Sequence, residues 1–134
     1  MQVYPIEGEI SSLSLSLSGA ELKIKAADKF SVESNHKYIS VKEDNGKLSI
    51  SETKKFFAVS PEGVTVSLSV PENFVFDEAA VETGAGKVEI HSLSADVLKL
   101  SLGAGKADIK SLTANSRAEI DGGAGELNID GGRL

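Results

Sequence analysis

Glycine is the residue type whose spacing in this chain first suggests chemistry. Gly84-Ala85-Gly86, Gly103-Ala104-Gly105 and Gly123-Ala124-Gly125 recur along the second half of the sequence, and glycine-rich turns cradle phosphates where they open onto a helix N-terminus. That chemistry needs the helix as well as the glycines. No helical periodicity follows any triplet, and neither a P-loop nor a dinucleotide fingerprint occurs. Gly122-Gly123-Ala124-Gly125 is similar to the opening of a calcium-binding nonapeptide repeat, but Glu126-Leu127 stands where the metal-holding aspartate belongs. The triplets therefore read as backbone corners.

The other reactive side chains are few and scattered. His36 and His91 are the only histidines, with no spaced His/Asp/Glu cluster around them to hold a metal or supply a general base. His91 aligns with Lys110 in the following repeat, which marks its position as a solvated corner. The adjacent pairs Glu43-Asp44 and Asp77-Glu78 would point to opposite faces of an extended strand, so neither sets two carboxylates on one glycosidic bond. There are 18 serines but no Gly-x-Ser-x-Gly elbow to make one a nucleophile. With no cysteine, thiol chemistry, disulfides, iron-sulfur clusters and cysteine-ligated zinc are excluded together. Aromatic residues are 5% of the chain and there is no Trp, which disfavours sugar-stacking and base-stacking platforms. The reading is a non-enzyme without cofactor or metal. One stretch is a candidate partner contact: the basic and aromatic run Lys54, Lys55, Phe56, Phe57, because exposed apolar clusters mark interfaces.

The elements that carry these residues are strands. Leu13, Leu15 and Leu17 alternate with serines, a period of two that puts the leucines on one face of a strand and that a helix would scatter. Leu22, Ile24 and Ala26 repeat the alternation after the break Ser18-Gly19-Ala20. Further alternating runs fall at residues 30–34, 38–42, 47–51 and 64–70. Asn45-Gly46 between two of them predicts a two-residue hairpin turn. Pro61 and Pro71 bracket the run Val64, Val66, Leu68, Val70 and mark its ends, since proline cannot donate to a ladder.

From residue 79 to 134 the chain repeats with a unit of about 20 residues; the triplets lie 19 and 20 residues apart. The apolar positions return around each: Ala79 and Val81, Leu98 and Leu100, Ala118 and Ile120 before it; Val88 and Ile90, Ala107 and Ile109, Leu127 and Ile129 after it. A unit of two short strands cannot bury its apolar side alone, so successive units must stack, which makes a β-solenoid. Gly84, Gly86, Gly103, Gly105, Gly123 and Gly125 are assigned to its sharp corners. Lys87, Glu89, Lys106, Asp108, Glu126 and Asn128 alternate outward as mixed-charge ladders.

These strands, the proline-terminated run ending in Pro71-Glu72-Asn73, and Thr83-Gly84-Ala85-Gly86-Lys87-Val88 with its two later copies resemble the bacterial putative-adhesin β-strand-repeat, or toastrack, domain family of unknown function. The resemblance covers nearly the whole chain. It implies a right-handed, solenoid-like β fold on the extracytoplasmic side of a cell envelope, often beside a membrane anchor and sometimes tied to envelope-stress signalling, and it carries over no catalytic residue.

Length and charge bound the rest. The 134 residues, 40% hydrophobic and 25% charged, suit one all-β domain, a strand-rich N-terminal part with a hairpin running into the solenoid, joined by one core. A β-sandwich is the alternative, disfavoured by the regular triplet spacing. A net charge of −6 opposes binding to nucleic acid and anionic membranes. No apolar run is long enough to span a bilayer, and the first residues lack the basic and apolar regions of a secretory signal. The last unit stops at Gly131-Gly132-Arg133-Leu134 and leaves an unpaired strand edge, which points to a fragment of a longer chain or to self-association through the C-terminal edge. The functional expectation is adhesin-like binding of an envelope polymer or protein partner, or an envelope-sensing scaffold. A self-assembling structural module is the alternative, and a polysaccharide-active β-helix enzyme ranks third.

Overall fold

The computed structural model describes residues 2–6, 9–17, 21–34, 39–52, 65–84, 87–103, 105–123 and 125–133. Every regular element among them is a strand: β1 (Gln2–Pro5), β2 (Ser12–Leu17), β3 (Glu21–Ala27), β4 (Ser31–Ser34), β5 (Ile39–Asp44), β6 (Lys47–Glu52), β7 (Thr65–Pro71), β8 (Phe76–Thr83), β9 (Lys87–Ile90), β10 (Leu93–Leu102), β11 (Lys106–Asp121) and β12 (Glu126–Arg133). They hydrogen-bond into one continuous sheet that bends round on itself. The alternation of apolar and polar residues in each strand gives that sheet an inside and an outside.

Two parallel stacks form its walls. On one wall β6, β2, β8, β10 and the second half of β11 run side by side. On the other, β7, β3, β9, the first half of β11 and β12 do the same. A coil is one strand from each wall, as in β8 followed by β9. Across coils, equivalent side chains form aliphatic columns: Leu48, Leu13, Ala79, Leu98, Ala118 and Ile50, Leu15, Val81, Leu100, Ile120 on the first wall. Val66, Leu22, Val88, Ala107, Leu127 and Leu68, Ile24, Ile90, Ile109, Ile129 form them on the second. These columns meet in a single core. Full burial of each Leu, Ile or Val contributes roughly 1.5–3 kcal/mol, which is what holds the coils in register.

The all-β solenoid expected from the repeat is present, and it extends further than residues 79–134. The N-terminal part is built from coils of the same stack, taken out of order. The β2–β3 coil lies between the β6–β7 coil and the β8–β9 coil. After β3 the chain lays down β4 antiparallel to β7, and β5 antiparallel to β6, which closes that end of the stack. β1 adds to β4 in the same sense. The hairpin turn is where the sequence placed it, with Asn45 and Gly46 at φ of 50° and 83°, and the Gly46 carbonyl accepts hydrogen bonds from the Ser11 and Ser12 amides at 2.7 and 3.0 Å.

Stepping from β7 over the β2–β3 coil to β8 requires a special link. The Glu72 amide donates to the Ala27 carbonyl at 3.3 Å, and the Asp77 amide to the Ser11 carbonyl at 2.7 Å. Under this link Phe30, Phe74 and Phe76 meet edge to face, with centroids 4.9 Å apart for Phe30–Phe74 and 4.8 Å for Phe74–Phe76. Phe76 is fully buried. Pro71 pairs with Ala27 as the last residue of β7, the strand end it was expected to mark.

Candidate functional site

The outward residues of the second wall lie in three rows across the coils, spaced about 4.8 Å as hydrogen-bonded strands require. One row is Glu21, Lys87, Lys106 and Glu126; the next is Lys23, Glu89, Asp108 and Asn128. The third, one position beyond the column of Ile24, Ile90, Ile109 and Ile129, is Lys25, His91, Lys110 and Asp130. Between the second and third rows the wall is concave, a shallow groove of about 470 Å³ running along the solenoid axis.

The middle row is held by contacts among its own members and from Lys87 of the first row. Lys23 Nζ lies 3.5 Å and Lys87 Nζ 3.0 Å from the Glu89 carboxylate, and Asn128 Nδ2 donates to Asp108 Oδ1 at 3.2 Å. The hydrogen bond from Lys87, then its charge and that of Lys23, hold the Glu89 carboxyl below the usual carboxylate range. The same contact raises Lys87 above the usual lysine value. A general acid needs the opposite displacement, so the groove offers charge and hydrogen bonds rather than a poised proton donor. In the third row Lys25, His91 and Lys110 are exposed side chains forming a short basic line in an acidic molecule. Among the described residues no group of three His, Cys, Asp or Glu is placed to hold a metal ion.

The family model described as Toastrack DUF4097 matches residues 10–134. The chain belongs to the toastrack family. No curated protein matches the sequence. Among solved structures, this toastrack chain is similar to a putative cell adhesion protein from Clostridium sporogenes, with a TM-score of 0.55 at 14% identity over 99% of this chain and 98% of that one. It is likewise similar to a putative adhesin from Bacteroides fragilis, with a TM-score of 0.51 at 11% identity over 98% of this chain and 94% of that one. At such identities the likeness is one of fold.

The toastrack corners carry the glycines singled out in the sequence. Gly84, Gly103, Gly105, Gly123 and Gly125 lie at or beside the turns between the walls; Gly86 lies outside the described residues. At Gly103 the reason for glycine is proximity: a Cβ would overlap the Gly84 carbonyl oxygen of the coil below. At Gly123 it is also conformation, since φ is +58° and a Cβ would overlap the carbonyl oxygens of Leu102 and Gly103. At Gly103 and Gly123 the corner is thus packed against stacked backbone of the neighbouring coil.

The predicted partner contact at Lys54, Lys55, Phe56 and Phe57 lies outside the described residues, as does His36. Asp77 and Glu78 are both exposed at the start of β8, and Glu43 and Asp44 are exposed at the end of β5 beside the hairpin turn. Sequence reasoning matched His91 to Lys110 but missed that Lys25 joins them. The signal was available: residues 12–24 align without a gap on residues 78–90, with Leu13, Leu15, Leu22 and Ile24 over Ala79, Val81, Val88 and Ile90.

Proposed function

We propose that this toastrack domain is a non-enzymatic, adhesin-like binding module on the extracytoplasmic side of the cell envelope. It would hold an extended polar envelope polymer along the groove on the second wall. The observation that carries this reading is the basic row Lys25, His91, Lys110 bordering a groove that follows the solenoid axis. Repeated side chains at strand spacing suit a chain-like ligand whose own polar groups repeat. Glu89 and Asp108 in the groove are engaged by Lys23, Lys87 and Asn128, which supports binding over acid-base catalysis. The two similar folds, a putative cell adhesion protein and a putative adhesin, point the same way. The net charge of −6 argues against nucleic acid as the ligand. Among the described residues no helix is long and apolar enough to cross a membrane.

The test is pull-down of the purified domain on insoluble cell-wall polymer from the source organism. Retention should weaken with salt, because exposed charges are screened within about 10 Å at 0.1 M. The double variant Lys25→Glu, Lys110→Glu should lose most of it. Retention unchanged in that variant would remove the groove from the reading. Protease treatment of intact cells addresses the location: cleavage of the native protein is expected, and protection there with cleavage in lysed cells would overturn the extracytoplasmic assignment.

A further inference from the structure

The two ends of the solenoid are finished differently. At one end the reversed strands β4 and β5 lie over the β6–β7 coil. Within β5, Glu43 stands opposite Leu48, in the column that faces the core elsewhere. A charge at such a position on an edge strand discourages addition of another strand. At the other end, among the described residues, nothing covers the second half of β11 (residues 112–121) or β12. One coil down, the inward positions Leu98, Leu100, Ala107 and Ile109 are buried. Their counterparts in the last coil are not: Ala118 is exposed, and Ile120, Leu127 and Ile129 are only half-buried. The open end thus presents apolar side chains together with two rows of backbone groups able to pair.

We propose that the occupant of this end is a second copy of the chain, joined through a twofold axis with the second half of β11 antiparallel to its mate and β12 antiparallel to its own. The pattern of outward charges favours this occupant and, among axes at residues 117 to 119, one register. Antiparallel neighbours directly opposite one another share a face, so outward residues must meet outward residues. With Ala118 on the axis, Arg117 stands opposite the partner's Glu119 and Asn115 opposite the partner's Asp121, each pair occurring twice. Moving the axis to residue 117 sets two arginines face to face, and moving it to residue 119 sets two glutamates face to face. Ala118 lies three residues before the end of β11 and Ile129 three residues after the start of β12, so the same axis passes close to Ile129. There Asn128 faces the partner's Asp130, an amide donor against a carboxylate acceptor, and Ile129 packs on its own copy. Within one chain Arg117 already hydrogen-bonds Glu119, so pairing adds a second acceptor to the same guanidinium. In this arrangement the groove-bearing walls of the two copies join into one longer ladder on the same side.

Sedimentation equilibrium of the chain, from low micromolar into the hundreds of micromolar, decides the matter. A monomer–dimer equilibrium is expected. In the Arg117→Glu homodimer both cross-strand pairs become glutamate against glutamate, and in the Glu119→Arg homodimer both become arginine against arginine. Each variant should weaken self-association roughly tenfold or more, since cross-strand charge pairs reverse sign twice per dimer. Mixed in equal amounts the two variants should recover association as a heterodimer, because each cross-strand pair then sets a glutamate of one chain, at 117 or 119, against an arginine of the other. Both side chains are exposed, so circular dichroism should show each variant folded. A wild-type chain that stays monomeric throughout would overturn the proposal and leave the end to another segment or partner. Assemblies larger than a dimer would point to head-to-tail stacking and overturn it too. So would single variants that associate like the wild type, or a mixture that fails to recover.

Discussion

Glu89 is clamped between Lys87 at 3.0 Å and Lys23 at 3.5 Å. Its carboxyl is depressed by the Lys87 hydrogen bond first and by lysine charge second. A group depressed in the folded state stabilises the fold above its unfolded value, near about 4.3, and that contribution fades as pH falls through the lower folded value. Lys87 is raised, so its share is present below the ordinary lysine range and fades as pH climbs through the raised value. Between those limbs the pair is intact, and because both groups face water its energetic weight is small. NMR titration of the Glu89 side-chain carbon should give a midpoint below the ordinary glutamate value. Lys87→Met should move it back up. An unmoved midpoint would mean that Lys87 is not what holds the carboxyl down.

At the level of elements, the corners fix the geometry. A solenoid whose turns stack at strand spacing leaves no room for a side chain between successive corner carbonyls, and that is the constraint at Gly103 and Gly123. Gly123→Ala combines a backbone at φ +58° with overlap on two carbonyl oxygens and should destabilise the domain by about 2 kcal/mol or more. Gly131→Ala is the control, because its Cβ would meet only the Lys110 carbonyl oxygen at 3.5 Å, and it should stay within about 0.5 kcal/mol of wild type. Urea unfolding of the two variants checks this; equal losses would show that corner stacking is not the constraint. These corners were legible in the sequence because β8 to β12 follow one another as tandem coils, so the triplet and its flanking aliphatics return at a fixed interval. The β2–β3 and β6–β7 coils escaped notice for a physical reason. Stacking order differs from chain order there, and Ser18-Gly19-Ala20 keeps only one glycine of the triplet. The Phe30, Phe74, Phe76 cluster was equally hidden, since it exists only where two distant connections cross. The basic row was half legible: Lys110 and His91 belong to tandem coils, whereas Lys25 reaches them through the reordered one.

For the molecule as a whole, stability follows from how many neighbours each coil has. In a stack whose coils touch only the ones above and below, opening a coil in the middle breaks two interfaces and opening one at a free end breaks one. The β2–β3 and β8–β9 coils are flanked on both sides, and the end carrying β6 and β7 is covered by β5 and β4. The last coil, the second half of β11 with β12, rests on a single neighbour, β10 and the first half of β11, and its inward aliphatics are half exposed. Local opening should therefore begin at that end and travel inward. Native-state amide hydrogen exchange on dilute protein should find β2 and β8 the slowest and β12 faster than any strand of the two walls that is flanked on both sides, separated from β2 and β8 by about a hundredfold or more in protection, or about 2.7 kcal/mol. A flat profile would mean that the stack opens only as one unit, and that the out-of-order coils lock the tandem ones more tightly than nearest-neighbour contact accounts for.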